Sequence, residues 1–129
     1  MSGAEQGGYP RQVAIDAYGK GGFRFEGISH RGSLLCLPSG MQAWPLSRPE
    51  EVTLASLAPL LDEADRMDVL FIGLGNDIVR LDPAILAAFR ERGVIVEAIA
   101  TGGAVRTYNV LLAEDRAVGA ALIAVDRVR

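Results

Sequence analysis

The chain is nearly devoid of lysine: Lys20 stands alone among 13 basic residues, against 16 acidic ones and a formal net charge of −3. Neutralising nucleic-acid phosphates takes a local excess of cations, so no nucleic acid is expected as a general partner. The arginines run from Arg11 to Arg129, which leaves room for a small cationic pocket. A single cysteine, Cys36, excludes an intrachain disulfide and points to a reducing compartment. One cysteine and one histidine also cannot supply the ligand set of a zinc site, and no metal is expected. No run is long and apolar enough for a membrane span. The longest uncharged stretch, 32–47, is short and interrupted by Pro38, Gly40 and Pro45. Residues 1–10 lack a basic region followed by an apolar one, so they read as a flexible tail, not a secretory signal. Aromatics make up only 6% of the chain, which leaves the core to Leu, Ile, Val and Ala.

A length of 129 residues suits one domain, expected over 11–125 with a C-terminal tail at 126–129. Half of the residues are hydrophobic and 22% are charged, a balance that sustains a packed core. The first third reads as β. Residues 12–18 alternate as a first strand, and Gly19-Lys20-Gly21-Gly22 breaks it. Phe23-Arg24-Phe25 resumes the alternation, and Gly27 marks a turn or bulge. Residues 28–30 and 33–37 read as a hairpin closed around Arg31-Gly32, and 41–46 as a further short strand.

From Thr53 the period becomes helical, with Leu54, Leu57, Leu60 and Leu61 on one face. Ser56 is the preferred cap, because it puts Pro59 in the tolerant first turn. Residues 69–72 form a continuous apolar run, as in a strand covered on both faces, and Gly73 and Gly75 end it. Asp82-Pro83 then opens a helix that Gly93 closes. Residues 94–98 read as a second buried strand, Thr101 as the cap of a third helix, and 118–124 as the last strand. The helix–strand alternation places these strands in one sheet with helices against it. The direction of the last strand stays open.

Several constellations invite a functional assignment. Gly73-Leu74-Gly75 follows a buried strand, but a dinucleotide fingerprint needs glycine where Ile78 stands, and a helix that begins at the turn. Nicotinamide binding is therefore not expected. Thr101-Gly102-Gly103 offers backbone N–H groups at a helix start, with Arg106 one turn on, a place suited to a small anion. Asn76 adds a polar group beside the first turn. Tyr108 on the apolar face, and Asn109, which helices tolerate poorly, are further candidates, the latter as a tether to an adjacent loop. Asp16, His30 and Ser33 are the residue types of a hydrolase triad, without the sharp nucleophile turn that such chemistry uses. Buried between leucines, Cys36 is expected to be inert.

The spaced residues also resemble a known family. Ile15-Asp16-Ala17-Tyr18-Gly19 with Gly22-Phe23-Arg24, then Phe71-Ile72-Gly73-Leu74-Gly75, are two of its segments. The third is Thr101, Ala104, Thr107-Tyr108-Asn109, Glu114, Arg116 and Ala120-Ala121-Leu122-Ile123. Together they are similar to the Mth938-like domain family of unknown function, whose members include mitochondrial respiratory complex I assembly factor 3. The resemblance implies an α/β chain with a three-layer β plus α/β fold and a central mixed sheet in which one strand runs antiparallel. It implies no catalytic residues and no cofactor. Its functional implication is an accessory, protein-binding role in respiratory or membrane-complex assembly, in a bacterial cytoplasmic member with a protein partner of unknown identity. The alternative is a small-molecule or anion-binding protein, or an unrecognised enzyme, with a pocket near Gly73, Gly75, Asn76, Thr101, Gly102, Gly103 and Arg106. Kinship of fold alone does not choose between them.

Overall fold

The computed structural model describes residues 8–77 and 79–128. The first part of the chain gives β1 (Gly8–Tyr9), β2 (Ala17–Gly19), β3 (Gly22–Phe25), β4 (Ile28–Arg31), β5 (Ser33–Leu37) and β6 (Gly40–Trp44). The second gives α1 (Ala58–Asp62), β7 (Val69–Gly73), α2 (Pro83–Arg90), β8 (Ile95–Ile99), α3 (Thr101–Ala113) and β9 (Val118–Leu122). Six strands form one mixed sheet in the order β1-β6-β5-β9-β7-β8, and β2-β3-β4 form a separate antiparallel sheet. Among the full-length strands of the large sheet, β5 alone runs against the rest, and the two-residue β1 at the edge runs with it. The last strand is parallel to β7 and antiparallel to β5, which settles its direction.

Alternation along the central strands divides the core in two. Leu35, Leu37, Leu70, Ile72, Ala121 and Ile123 face one side, where Leu60, Ile85 and Phe89 from α1 and α2 cover them. Leu34, Cys36, Phe71, Ala120 and Leu122 face the other, against Tyr108, Val105 and Ala104 of α3 and Phe23 and Phe25 of the small sheet. The result is three layers: two helices, the large sheet, and a layer shared by α3 and the small sheet.

The expected hairpin of 28–30 with 33–37 does not form. β4 pairs with β3 and β5 pairs with β6 and β9, so Arg31-Gly32 is a corner between sheets. Only Gly32 (φ +90°) separates the two strands, too little chain to close a two-residue hairpin and enough to redirect the backbone. The hairpin turns of the small sheet are Lys20-Gly21 and Glu26-Gly27, each with both central residues at positive φ (54° and 78°, 50° and 75°), and β5 turns back into β6 through Pro38-Ser39.

Residues 12–16 are not strand but an irregular strap ahead of β2. β8 is not buried but lies at the sheet edge, with Ile95 66% exposed. Pro59 falls at the start of α1 as expected, yet Ser56 is not its cap. Ser56 instead exchanges hydrogen bonds with Thr53 across a preceding 3-10 turn. Of the span 1–10 expected as a tail, 1–7 lie outside the described residues, whereas Gly8 and Tyr9 pair with Gln42 and Met41. In the expected C-terminal tail, the carbonyls of Asp126 and Arg127 accept hydrogen bonds from the Lys20 N–H and the Asn76 side chain. Ile78 and Arg129 are outside the described residues. No helix among the described residues is long and apolar enough to cross a membrane.

Candidate functional site

The ends of β7, β8 and β9 meet at Thr101. Its hydroxyl donates to the Ile123 carbonyl (2.7 Å) and accepts from the Gly75 N–H (2.9 Å), while its own N–H donates to the Gly75 carbonyl (2.9 Å). Thr101 is therefore not the N-cap of α3. Ala100 holds that position, and the Thr101 side chain turns inward as a fully buried clasp. Gly73 is a packing requirement of the same clasp, because a Cβ there would lie 2.9 Å from the Thr101 Cα and 3.1 Å from Leu122. Gly75 (φ +84°) carries the chain out of the strand, and the Asn76 amide donates to the Arg127 carbonyl (3.0 Å).

At the start of α3 the Tyr18 hydroxyl lies where a side chain on Gly102 would project. Gly103 packs against Ile99, and the exposed Arg106 guanidinium lies over both glycines. The helix end thus carries an aromatic cover from the small sheet.

Tyr108 and Asn109 fasten the strap ahead of β2. The buried Tyr108 hydroxyl donates to the Val13 carbonyl (2.7 Å). Asn109 makes a two-point contact with Ile15, accepting from its N–H and donating to its carbonyl, both at 2.8 Å. Burial, then the neighbouring Cys36, raises the Tyr108 phenol above its ordinary pKa. Burial likewise pushes the Cys36 thiol up to about 12, with its hydrogen bond to Tyr108 pulling the other way. A thiol held protonated is a poor nucleophile.

Asp16, His30 and Ser33 do not assemble as a triad. The His30 Nε2 lies 3.0 Å from the Ser33 carbonyl, which can only accept, so Nε2 donates there, and Nδ1 is hydrogen-bonded with the Tyr9 hydroxyl (2.9 Å). The Ser33 hydroxyl accepts from the Ala124 N–H (2.9 Å), and the Asp16 carboxylate accepts from the Glu26 N–H (3.1 Å). Among the described residues no three His, Cys, Asp or Glu side chains group as metal ligands.

Sequence reasoning missed one concavity altogether. About 780 Å³ in volume, it lies over the outer face of the small sheet and is lined by Lys20, Arg24, Arg31, Ser29 and Asp126, with Val128 as a wall. A signal was present: in Phe23-Arg24-Phe25 the two phenylalanines face inward, so Arg24 must face out. Placing Arg31 beside it required the β3–β4 pairing, which the mistaken hairpin obscured.

Known proteins place this geometry in a family. Residues 15–123 match the family described as a protein of unknown function (DUF498/DUF598). An uncharacterized protein of Rhodobacter capsulatus is 38% identical over 116 residues, covering 90% of this chain and 88% of that one. The NADH dehydrogenase (ubiquinone) 1 alpha subcomplex assembly factor 3 of Mus musculus is 35% identical over 118 residues, covering 92% of this chain. The match takes in 64% of the mouse protein, so the chain spans slightly under two thirds of that relative's length. An outer membrane protein from Bartonella henselae, solved by crystallography, is 45% identical with a TM-score of 0.86, covering 91% of this chain and 98% of that one. An Mth938-like domain from Bordetella pertussis, solved by NMR, has a TM-score of 0.76 at 30% identity, over 88% and 85% of the two chains. The chain belongs to the DUF498/DUF598 family of unknown function and has the Mth938-like fold.

Proposed function

We propose that this chain is a non-enzymatic accessory protein that binds another protein during assembly of a respiratory or membrane complex, in the cytoplasm of a bacterial cell. The carrying observation is the likeness, over 92% of this chain, to a protein named as a complex I assembly factor. Further support comes from the reactive side chains. Both His30 nitrogens, the Ser33 hydroxyl and the Cys36 thiol are engaged in holding the fold. The nine residues singled out in sequence act in this proposal as the frame that presents a binding surface, with 11–125 as the working domain.

The test is deletion of the gene in its host, followed by native gel separation of membrane complexes and a membrane assay of NADH:ubiquinone oxidoreduction. Accumulated subcomplexes and reduced activity, both restored by the intact chain, are expected. Normal complexes and activity under respiratory growth would refute the assignment. Fractionation of the tagged chain tests the cytoplasmic placement, and recovery in the outer membrane would overturn that part.

A further inference from the structure

We infer that the concavity over the small sheet is a binding site for a small, multiply charged anion, a molecule bearing two or more phosphate or carboxylate groups. The inference is separate from the assembly role and does not rest on it.

Register dictates which side chains share this face. Phe23 pairs with His30 and both are buried, so Arg24 and its partner Ser29, and Gly22 and its partner Arg31, turn to the opposite side. Arg24 and Arg31 then stand on a diagonal of the same face, within reach of one ligand. Lys20 joins them from the β2–β3 turn. The remaining floor is small, made by Ala17, Gly19, Gly22 and Ser29, so the cations border an open space instead of lying across it.

Three cations gathered on one face of an acidic protein call for a reason. The carboxylates close in the chain are turned elsewhere: Glu26 pairs with Arg11, and Asp16 accepts the Glu26 N–H. Among the described residues neither arginine nor Lys20 forms an ion pair, and Asp126 is the one acid that lines the concavity. Like charges on a shared face repel, and an anion between them relieves that repulsion. Guanidinium groups suit the task, since each offers a planar fork of donors that matches phosphate or carboxylate oxygens. The volume of about 780 Å³ is within the roughly 300–1,000 Å³ of small-molecule sites.

The walls fit the same purpose. The Lys20 and Gly21 N–H groups bond to the Asp126 and Val125 carbonyls, which anchors the turn that carries Lys20. A Cβ on Gly19 would lie 3.0 Å from the Val128 side chain, so the bare glycine lets the C-terminal segment close one side.

The probe is inorganic pyrophosphate, titrated calorimetrically into the full chain at fixed ionic strength, with amide shifts followed by NMR. Saturable binding is expected, with shifts centred on Gly19, Lys20, Gly22, Arg24, Ser29, Arg31 and Asp126. Arg24→Gln and Arg31→Gln should each weaken it at least tenfold and together abolish it. Arg90→Gln, on the opposite side of the large sheet, and Arg106→Gln, at the α3 end, should leave it unchanged. These arginines are exposed, and thermal melts of each variant establish folding independently. Absence of saturable binding by the parent chain overturns the inference. So does retention in the double variant, or loss in Arg106→Gln with shifts at 101–106. A hexaglutamate peptide is titrated in parallel, and saturable binding of the peptide without pyrophosphate also overturns it.

Discussion

Replacing Thr101 with valine removes one hydroxyl and almost no volume, which makes it a clean perturbation of the clasp. The hydroxyl serves two backbone groups in a fully buried place, the Gly75 N–H and the Ile123 carbonyl. Valine leaves both without that partner. An orphaned buried polar group costs about 1–3 kcal/mol, so the loss of two partners should destabilise the fold by roughly 2–6 kcal/mol. Loss of a helix cap costs about 1 kcal/mol, so the size of the effect separates the two roles. The series of substitutes separates them further. A clasp needs a donor toward Ile123, which serine keeps and aspartate lacks, whereas a cap accepts aspartate readily. Thr101→Ser should stay nearest the parent and Thr101→Asp should be worse than Thr101→Val, because it also buries a charge. Urea unfolding is the assay. With a slope of about 1–3 kcal/mol per molar, a loss of about 3 kcal/mol moves the midpoint down by about 1–3 M. A Thr101→Asp variant as stable as the parent, or a loss under about 1 kcal/mol for Thr101→Val, would show that the hydroxyl does not hold the strand ends.

Two further outcomes follow from the same geometry. Asn109→Ala removes both contacts to Ile15 and should cost about 1–3 kcal/mol, with faster hydrogen exchange at the Ile15 amide. Unchanged protection at Ile15 would refute the tether. Stability should also fall in alkali, because the Cys36 thiol ionises near its ordinary value of 9 in the unfolded chain and at about 12 in the folded one. The folded state then holds the extra proton, so this contribution is complete below pH 9 and is lost between 9 and 12. The slope is about 1.4 kcal/mol per pH unit, which the raised Tyr108 phenol steepens above pH 10. Cys36→Ala should flatten the slope between pH 9 and 10 whatever it does to stability at neutral pH. An equal slope in the variant would count against the assignment.

Much of the second half was legible because its signals are local. The Asp82 carboxylate accepts the Ala84 N–H at the start of α2, as Asp82-Pro83 announces, and Gly93 (φ +81°) ends the segment. The continuous apolar run of 69–72 likewise marks a strand without knowledge of its partners. What escaped depends on pairing. Ile28–Arg31 and Ser33–Leu37 look like two arms of one hairpin, and only the choice of neighbours, β3 for one and β6 with β9 for the other, sends them to different sheets. Ile95–Ile99 looks buried by composition, but edge position is a property of strand order. Thr101 before a helix satisfies the capping preference in type. Its rotation inward is dictated by strand ends 22 and 26 residues away in sequence, at Ile123 and Gly75.

The residues by which the chain resembles its family are largely the ones that tie distant segments together. Thr101 joins three strand ends, Tyr108 reaches Val13, Asn109 reaches Ile15, and Gly73 admits Thr101. Each has a partner that accounts for its side chain, or for its lack of one, and such residues specify a fold without specifying a task. Arg24, Arg31 and Lys20 are different. They face solvent from a sheet whose other face supplies the core contacts, and none of their charges is used in an ion pair among the described residues. Packing requires Phe23 and Phe25 but asks only for some outward residue at 24 and 31. A cationic choice at both places, and again at the adjoining turn, is the pattern on which the proposed anion site rests. At the α3 start that the sequence singles out, the Tyr18 hydroxyl and the Arg106 guanidinium lie over Gly102.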